Sequence, residues 1–182
     1  MEGITIRAIA PDELEAWARA VESAFGAALR PEALEMERMI AEPERYLAAF
    51  DGGRIVGGNA SVPVELAVPG GGRIAVCAIN GVGVVPGATR RGISTALMRR
   101  QIDAARERGE SVAVLHASEA SIYGRYGFGT ATRNATMEID RARAGFVRGY
   151  SPAGEVRLVG RDEALEVMVD VLERLSDRPG WL

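Results

Sequence analysis

The sequence lacks the residues that many nucleotide and metal sites require. Its 182 residues include no lysine, one cysteine, Cys77, and one histidine, His116. The phosphate-binding loop of P-loop nucleotide hydrolases contains a lysine, so that class of protein is excluded. One cysteine cannot form an internal disulfide, and one cysteine with one histidine does not make a zinc-type ligand cluster. We therefore expect neither a disulfide nor a metal site within this sequence.

Long apolar runs and blocks of like charge are also missing. No apolar stretch reaches the roughly 20 residues of a membrane helix, and the N-terminus has no secretory signal pattern. The net charge is −3, without a contiguous basic segment, so we expect no nucleic-acid partner and no membrane partner. With 47% hydrophobic and 26% charged residues, the chain is expected to fold as a globular protein. A cytoplasmic location is the default expectation.

Hydrophobic periodicity predicts an α/β domain. Alternating apolar residues predict strands, and apolar stripes at intervals of three and four residues predict helices. The predicted strands are Ile4–Ile9, Tyr46–Phe50, Arg54–Val68, Arg73–Val85, Val112–Leu115 and Thr130–Ile139. Helices are predicted from Pro11, Pro31 and Arg91, with a short one near Ser118. The strands between Tyr46 and Val85 are expected to form an antiparallel meander, and Val112–Leu115 a fully buried parallel strand.

The C-terminal part of the sequence predicts a break in the fold. Residues 141–154 are polar and contain glycine and proline, which is typical of a linker. Beyond them, residues 156–163 repeat the apolar-Arg and Asp-Glu pattern of residues 6–13 at an offset of 150. We predict one domain at 1–140, the linker at 141–154, and the truncated start of a second similar domain at 155–182. The chain would then be a piece of a longer protein, or its tail would dock on another subunit. The alternative is that the repeat is chance and the tail packs on the first domain.

The segment Pro86–Thr95 has the composition of an anion-binding turn at the start of a helix. Backbone N–H groups and the helix dipole bind phosphate there without steric bulk. Gly87 and Gly92 permit a close approach of the backbone, and the candidate side chains are Thr89, Arg90, Arg91, Ser94 and Thr95. An ordinary strand-to-helix loop that contains arginines would explain the same composition.

A second segment, His116-Ala-Ser-Glu-Ala-Ser-Ile-Tyr-Gly-Arg-Tyr-Gly-Phe-Gly129, is more specific. With the Val-Val-Pro end of the preceding strand and the turn at 89–94, it resembles the GCN5-related N-acetyltransferase (GNAT) superfamily, and most of all the enhanced-intracellular-survival (Eis) acetyltransferases. The resemblance covers about residues 1–140. Two positions depart from the family pattern, because Thr89 replaces an arginine or glutamine and Ser94 replaces a second small residue. The resemblance implies a mixed, mostly antiparallel sheet with helices on both faces and a splayed central strand pair.

The resemblance also implies acetyl-CoA as the co-substrate. In the family, the strand before the turn binds the pantetheine arm through its backbone, and the turn binds the diphosphate. The residues implied for cofactor binding are Val82, Gly83, Val84, Thr89, Arg90, Arg91, Gly92, Ile93, Ser94, Thr95 and Glu119.

Tyr123 is the residue that the resemblance implies as general acid. An amine attacks the thioester directly in this family, and the departing thiolate needs a proton, which a phenol can supply. Tyr126 is the second candidate, and the alternative role of Tyr123 is that of an aromatic anchor for its helix. Ser118 is a candidate either for the helix N-cap or for a contact with the cofactor thiol. His116 ends a predicted buried strand, so we expect a structural role for it.

The acceptor is implied by the resemblance alone. It is a primary amine of a small molecule or a lysine-type acceptor, and full-length relatives form homo-oligomers. The Eis family uses its C-terminal carboxylate in the site, which Leu182 is too early in the chain to supply, and it has acidic residues for polycationic acceptors, whereas residues 25–27 contain none. A catalytically silent acyl-CoA-binding or assembly module of a longer protein is therefore the alternative function.

Overall fold

Within residues 3–133 and 135–175, which the computed structural model describes, five strands and four α-helices form. The strands are β1 (Ile4–Ala8), β2 (Tyr46–Asp51), β3 (Arg54–Val68), β4 (Gly72–Val84) and β5 (Val112–Leu115). The helices are α1 (Leu14–Ala24), α2 (Pro31–Ile40), α3 (Ile93–Glu107) and α4 (Arg161–Leu175). A 3₁₀ turn at Ala120–Tyr126 follows β5, in place of the short helix predicted near Ser118.

The strands form one sheet in the order β1-β2-β3-β4-β5. Neighbouring strands are antiparallel up to β4, which confirms the predicted meander, and β5 runs parallel to β4. Gly52 and Gly53 join β2 to β3 with φ angles of 56° and 85°. Two successive positive φ angles are those of a tight hairpin turn, which glycine adopts without strain.

Helices cover both faces of this sheet, as expected. Alternate residues of β2 point to opposite faces, so Tyr46, Ala48 and Phe50 pack with α1 while Leu47 and Ala49 pack with α3. Trp17 of α1 is 2% exposed, and its indole N–H donates to the Leu47 carbonyl over 3.0 Å. The sheet is therefore the middle layer of three. None of the helices in the described ranges combines the length and the apolar composition needed to cross a membrane.

Two expectations about strands are wrong. The described residues of Thr130–Ile139 form no strand and are exposed, with Met137 at 84% and Ile139 at 74%. Alternation is a local pattern, whereas a strand forms only where a neighbouring edge pairs with it and its apolar face is covered. β5 is parallel as predicted but only partly buried, because its edge away from β4 pairs with no strand in the described part of the chain.

The C-terminal segment contains one helix and little packing. Residues 155–160, part of which repeats the sequence pattern of β1, are irregular and exposed, while α4 begins at Arg161, directly before the Asp-Glu pair of the repeat. Apolar residues of α4 such as Leu165, Met168 and Leu172 are about half exposed. The division of the chain at 141–154 into two domains stays a prediction.

Candidate active site

A β-bulge in β4 opens the sheet at its centre. Gly58 of β3 lies opposite Gly83, and Ala60 lies opposite Asn80, so two residues of β4, Gly81 and Val82, face one residue of β3. Gly81 has a φ of 59°, and a Cβ at this position would lie 2.9 Å from the Trp17 ring. Both the backbone conformation and the close packing therefore require glycine here.

β4 extends beyond the end of its pairing with β5. Their parallel pairing ends at Ile79 and Leu115, and β4 continues to Val84 beside β3 alone. This divergence confirms the expected splayed strand pair. Backbone groups on the β5-facing edge of β4 beyond Ile79 have no strand partner in the described ranges, so an extended ligand can pair with them.

A cavity of about 220 Å³ occupies this gap. Its walls combine residues from β4, from the end of β5 and from the 3₁₀ turn that follows. The lining residues are Phe25, Ile79, Asn80, Gly81, Val82, Leu115, His116, Ser118, Glu119, Ile122 and Tyr123. The cavity therefore brings together four of the predicted site residues, Val82, Ser118, Glu119 and Tyr123.

The predicted anion-binding turn adopts the required backbone geometry. Arg90 has a φ of 62° and Gly92 a φ of 78°, and α3 begins directly afterwards at Ile93. The first N–H group bonded within the helix is that of Ala96, to the Gly92 carbonyl, so those of Ile93, Ser94 and Thr95 precede the helical bonds. Left-handed residues beside a helix N-terminus direct successive N–H groups to one point and favour an anion. The Ile93 side chain is buried at 2% exposure and fixes the start of the helix.

The side chains around this turn differ in their partners. Arg91 pairs with Asp51 at the end of β2, with 2.5 Å between Nη1 and Oδ2. The Thr89 hydroxyl donates to the Pro86 carbonyl over 3.0 Å. Arg90 is exposed, which leaves its guanidinium accessible to a bound anion.

Tyr123 lies in the cavity wall with its ring half-buried. The ring packs beside Cys77, Ile79 and Met98 and meets Phe128 edge to face, with 6.1 Å between centroids. Burial, with a smaller contribution from Tyr126, raises the pKa of the Tyr123 phenol above its usual value. The phenol therefore keeps its proton at neutral pH and can donate it.

Tyr126 connects the two halves of the site. Its hydroxyl lies 3.2 Å from the hydroxyl of Thr95, in the first turn of α3. The turn that carries Tyr123 is thus hydrogen-bonded to the helix end that would bind the diphosphate. Spacing alone does not indicate this contact, because it joins residues 31 positions apart.

Two expectations about the polar residues of the turn are wrong. Ser118 does not cap a helix, because the 3₁₀ turn begins at Ala120 with Glu119 in the cap position and no side-chain cap bond. His116 is exposed at the cavity rim and not buried, because β5 ends before it. Glu119 accepts a hydrogen bond from the Ser121 hydroxyl over 2.9 Å.

A second cavity, of about 330 Å³, lies between α1, α2 and β4. It shares Phe25, Asn80 and Gly81 with the cavity in the strand gap, and it is also lined by Glu22 and Glu37. Neither carboxylate was predicted from the sequence, in which residues 25–27 were the segment expected to carry acidic residues for the acceptor. The available signal was that each glutamate follows a buried apolar residue on its helix, Glu22 four positions after Ala18 and Glu37 three after Leu34.

Comparison with known proteins places this geometry in context. The family described as Acetyltransferase (GNAT) domain matches residues 5–131. An uncharacterized N-acetyltransferase of Streptomyces griseus is 43% identical over 184 residues, which cover 97% of this chain and 44% of that protein. The N-acetyltransferase Eis of Mycobacterium bovis is 34% identical over 140 residues, which cover 74% of this chain and 35% of that protein.

The crystal structure of Eis1 from Mycobacterium abscessus shares the fold with a TM-score of 0.63. It is 41% identical and covers 69% of this chain and 31% of its own. The chain therefore spans less than half the length of these relatives, and the similarity concerns the part that contains the sheet, the turn and Tyr123.

Proposed function

Because this chain belongs to the acetyltransferase (GNAT) family, we propose that it transfers an acetyl group from acetyl-CoA to a primary amine of a small molecule or a lysine-type acceptor. The observation that carries the proposal is the convergence of three features on one gap in the sheet. These are the bulged edge of β4, the anion-binding turn before α3, and the half-buried phenol of Tyr123.

The residues present fit the co-substrate. The N–H groups of Ile93, Ser94 and Thr95 supply donors for a diphosphate at the positive end of α3. A Cβ at Gly87 would meet nothing within 4 Å, so there is open space beside the turn. The edge of β4 at Val82–Val84 offers backbone groups to the pantetheine amides, and the thioester would then lie in the strand gap.

The reaction follows from the groups around that gap. A neutral amine attacks the thioester carbonyl carbon, the carbon–sulfur bond breaks, and an amide forms. The departing thiolate takes the proton of the Tyr123 hydroxyl, and the amine nitrogen loses a proton to solvent. The Tyr123 phenolate then regains a proton from solvent. An amide N–H of β4 that faces the carbonyl oxygen would stabilise the developing charge by about 3–4 kcal/mol.

A thermal-shift series tests the proposal without knowledge of the acceptor. We expect acetyl-CoA to raise the Tm, because a ligand that binds only the folded state stabilises it, whereas ATP and NADH leave the Tm unchanged. Acetyl transfer is then measured on a panel of amines by thiol release. Stabilisation by acetyl-CoA without transfer to any amine would favour the silent acyl-CoA-binding module. An unchanged Tm in the presence of acetyl-CoA would contradict both the acetyltransferase and the acyl-CoA-binding module.

A further inference from the structure

The cavity between α1, α2 and β4 has apolar walls and an acidic side. Trp17, Ala18, Val21, Phe25, Leu29 and Ala33 supply the apolar surface. The remaining side chains that line it are Glu22, Glu37 and Asn80. This combination suits a ligand with an apolar body and a positive charge at one end.

The two carboxylates are not neutralised by the protein in the described ranges. Neither Glu22 nor Glu37 forms an ion pair there, although arginines pair with nearby acidic residues such as Glu15 and Glu42. Glu37 accepts a hydrogen bond of 2.6 Å from the Tyr46 hydroxyl. Tyr46 is 1% exposed and meets Trp17 edge to face, so the carboxylate of Glu37 is held in position. A partly buried carboxylate without a cation favours a ligand that supplies one.

The cavity adjoins the proposed reaction site. Its lining shares Phe25, Asn80 and Gly81 with the cavity that contains Tyr123. A ligand seated between α1 and α2 can therefore extend past Gly81 into the strand gap. Gly81, which has no side chain, lies in the lining that the two cavities share.

We propose that this cavity binds the acceptor and that the acceptor is a compact diamine. One amine, neutral, reaches the strand gap; the apolar spacer lies against Trp17 and Phe25; and the second amine, protonated, pairs with Glu22 and Glu37. The proposal rests on the proposed function. The attacking nitrogen needs its lone pair and so cannot be the ammonium that carboxylates attract. The carboxylates can instead bind a second, protonated amine of the same molecule.

The volume of the cavity matches a compact acceptor. At about 330 Å³ it lies at the lower end of small-molecule sites, which run from about 300 to 1,000 Å³. A short chain or a single ring fits within this volume, as the body of a short diamine does. A compact diamine is a narrower class of acceptor than the primary amines that the family resemblance implies.

The test compares straight-chain diamines, from propane to hexane, with monoamines of equal chain length. The kcat/KM for acetylation by acetyl-CoA is measured for each amine, and the binding of each amine is measured directly by calorimetry. We expect the best diamine to exceed its monoamine by about tenfold or more, as a charge-assisted contact provides. Glu22→Gln and Glu37→Gln should each remove most of this preference, chiefly through KM. Glutamine still accepts the Tyr46 hydrogen bond, so Glu37→Gln keeps the local packing.

The matched control is Glu35→Gln, an exposed glutamate on the same helix α2. It should retain the diamine preference. Equal kcat/KM for diamines and monoamines, or an equal loss on both in the Glu22 and Glu37 variants, would overturn the inference and leave the proposed function intact. If no amine is acetylated, the proposed function fails. Calorimetry then tests the inference separately. Diamine binding that is weakened by Glu22→Gln would support the diamine site, and the absence of diamine binding would refute it.

Discussion

Tyr123 is the residue on which the proposed chemistry depends. Its phenol lines the strand gap and its pKa is raised by burial and by Tyr126. We expect Tyr123→Phe to lower kcat about 10²-fold or more, as loss of a general acid does, with little change in the KM for acetyl-CoA. Tyr150→Phe, at an exposed position away from the gap, should leave both constants unchanged.

The pH dependence has a defined sign. A phenol with a raised pKa stays protonated to higher pH than a free tyrosine, so activity should persist up to the ordinary value near 10 and fall as the pH rises through the raised value. In Tyr123→Phe this alkaline loss should disappear from the pH–kcat profile. An unchanged profile, or full activity in the variant, would show that another group protonates the thiolate.

Residue identities in the site were only partly predictable. The glycines and arginines of the turn and the tyrosine of Ile-Tyr-Gly-Arg are visible in the sequence because they form a continuous motif. Glu22 and Glu37 belong to different helices, and only the packing of α1 beside α2 gives them a common cavity. Gln101 was missed for a similar reason, since it is polar yet 1% exposed on the inner face of α3.

At the scale of elements, the contact between α3 and the turn after β5 connects cofactor binding to catalysis. The Thr95 and Tyr126 hydroxyls lie 3.2 Å apart and join these elements. We expect Thr95→Val and Tyr126→Phe each to cost about 1 kcal/mol of unfolding free energy, the usual net value of one hydrogen bond. The double variant should cost less than the sum, because both changes remove the same bond.

The same pair of variants should affect kcat through the position of Tyr123. Denaturant unfolding measures the stability terms, and steady-state kinetics with acetyl-CoA measures turnover. Thr95→Ser keeps the hydroxyl and is the matched control for the contact. Fully additive effects in the double variant would mean that the two hydroxyls act independently.

The first and last residues of a helix or strand could be predicted from the sequence where the apolar pattern was dense. β3 was predicted at Arg54–Val68 and β5 at Val112–Leu115, as observed, and α3, predicted from Arg91, begins two residues later at Ile93. Each has dense apolar periodicity and clear end signals, such as Gly92 before α3. The strand predicted at 130–139 failed because its pairing partner is a non-local feature that alternation does not report.

At the scale of the whole molecule, a buried ion network connects distant parts of the chain. Arg45, before β2, donates to Glu110, before β5, over 2.6 Å, and Arg108 also pairs with Glu110. Arg45 and Glu110 are both 8% exposed. Arg45 keeps its pair with Glu42, so Glu110→Gln should lower the unfolding free energy by about 2–3 kcal/mol, less than the loss of the sole partner of a buried charge.

Denaturant titration of Glu110→Gln beside Glu107→Gln checks this expectation. Glu107 is exposed and pairs with Arg100 at 3.4 Å, so its replacement should change stability by less than about 0.5 kcal/mol. Burial alone would raise the pKa of Glu110, but the hydrogen bonds from Arg45 and Arg108 outweigh it and the pKa is lowered. The stabilisation is therefore present above the ordinary value of 4.5 and is lost as the pH falls through the lowered pKa. Similar losses in both variants would contradict a special role for this network.

The most direct test of the account is the response of individual backbone amides to acetyl-CoA, measured by nuclear magnetic resonance titration. Binding at the proposed site predicts saturable shifts of the amides of Gly92–Thr95 and of Val82–Val84, with smaller changes elsewhere. Saturable binding that leaves these amides unmoved and shifts others would place the cofactor away from the strand gap and contradict the assignment of the active site.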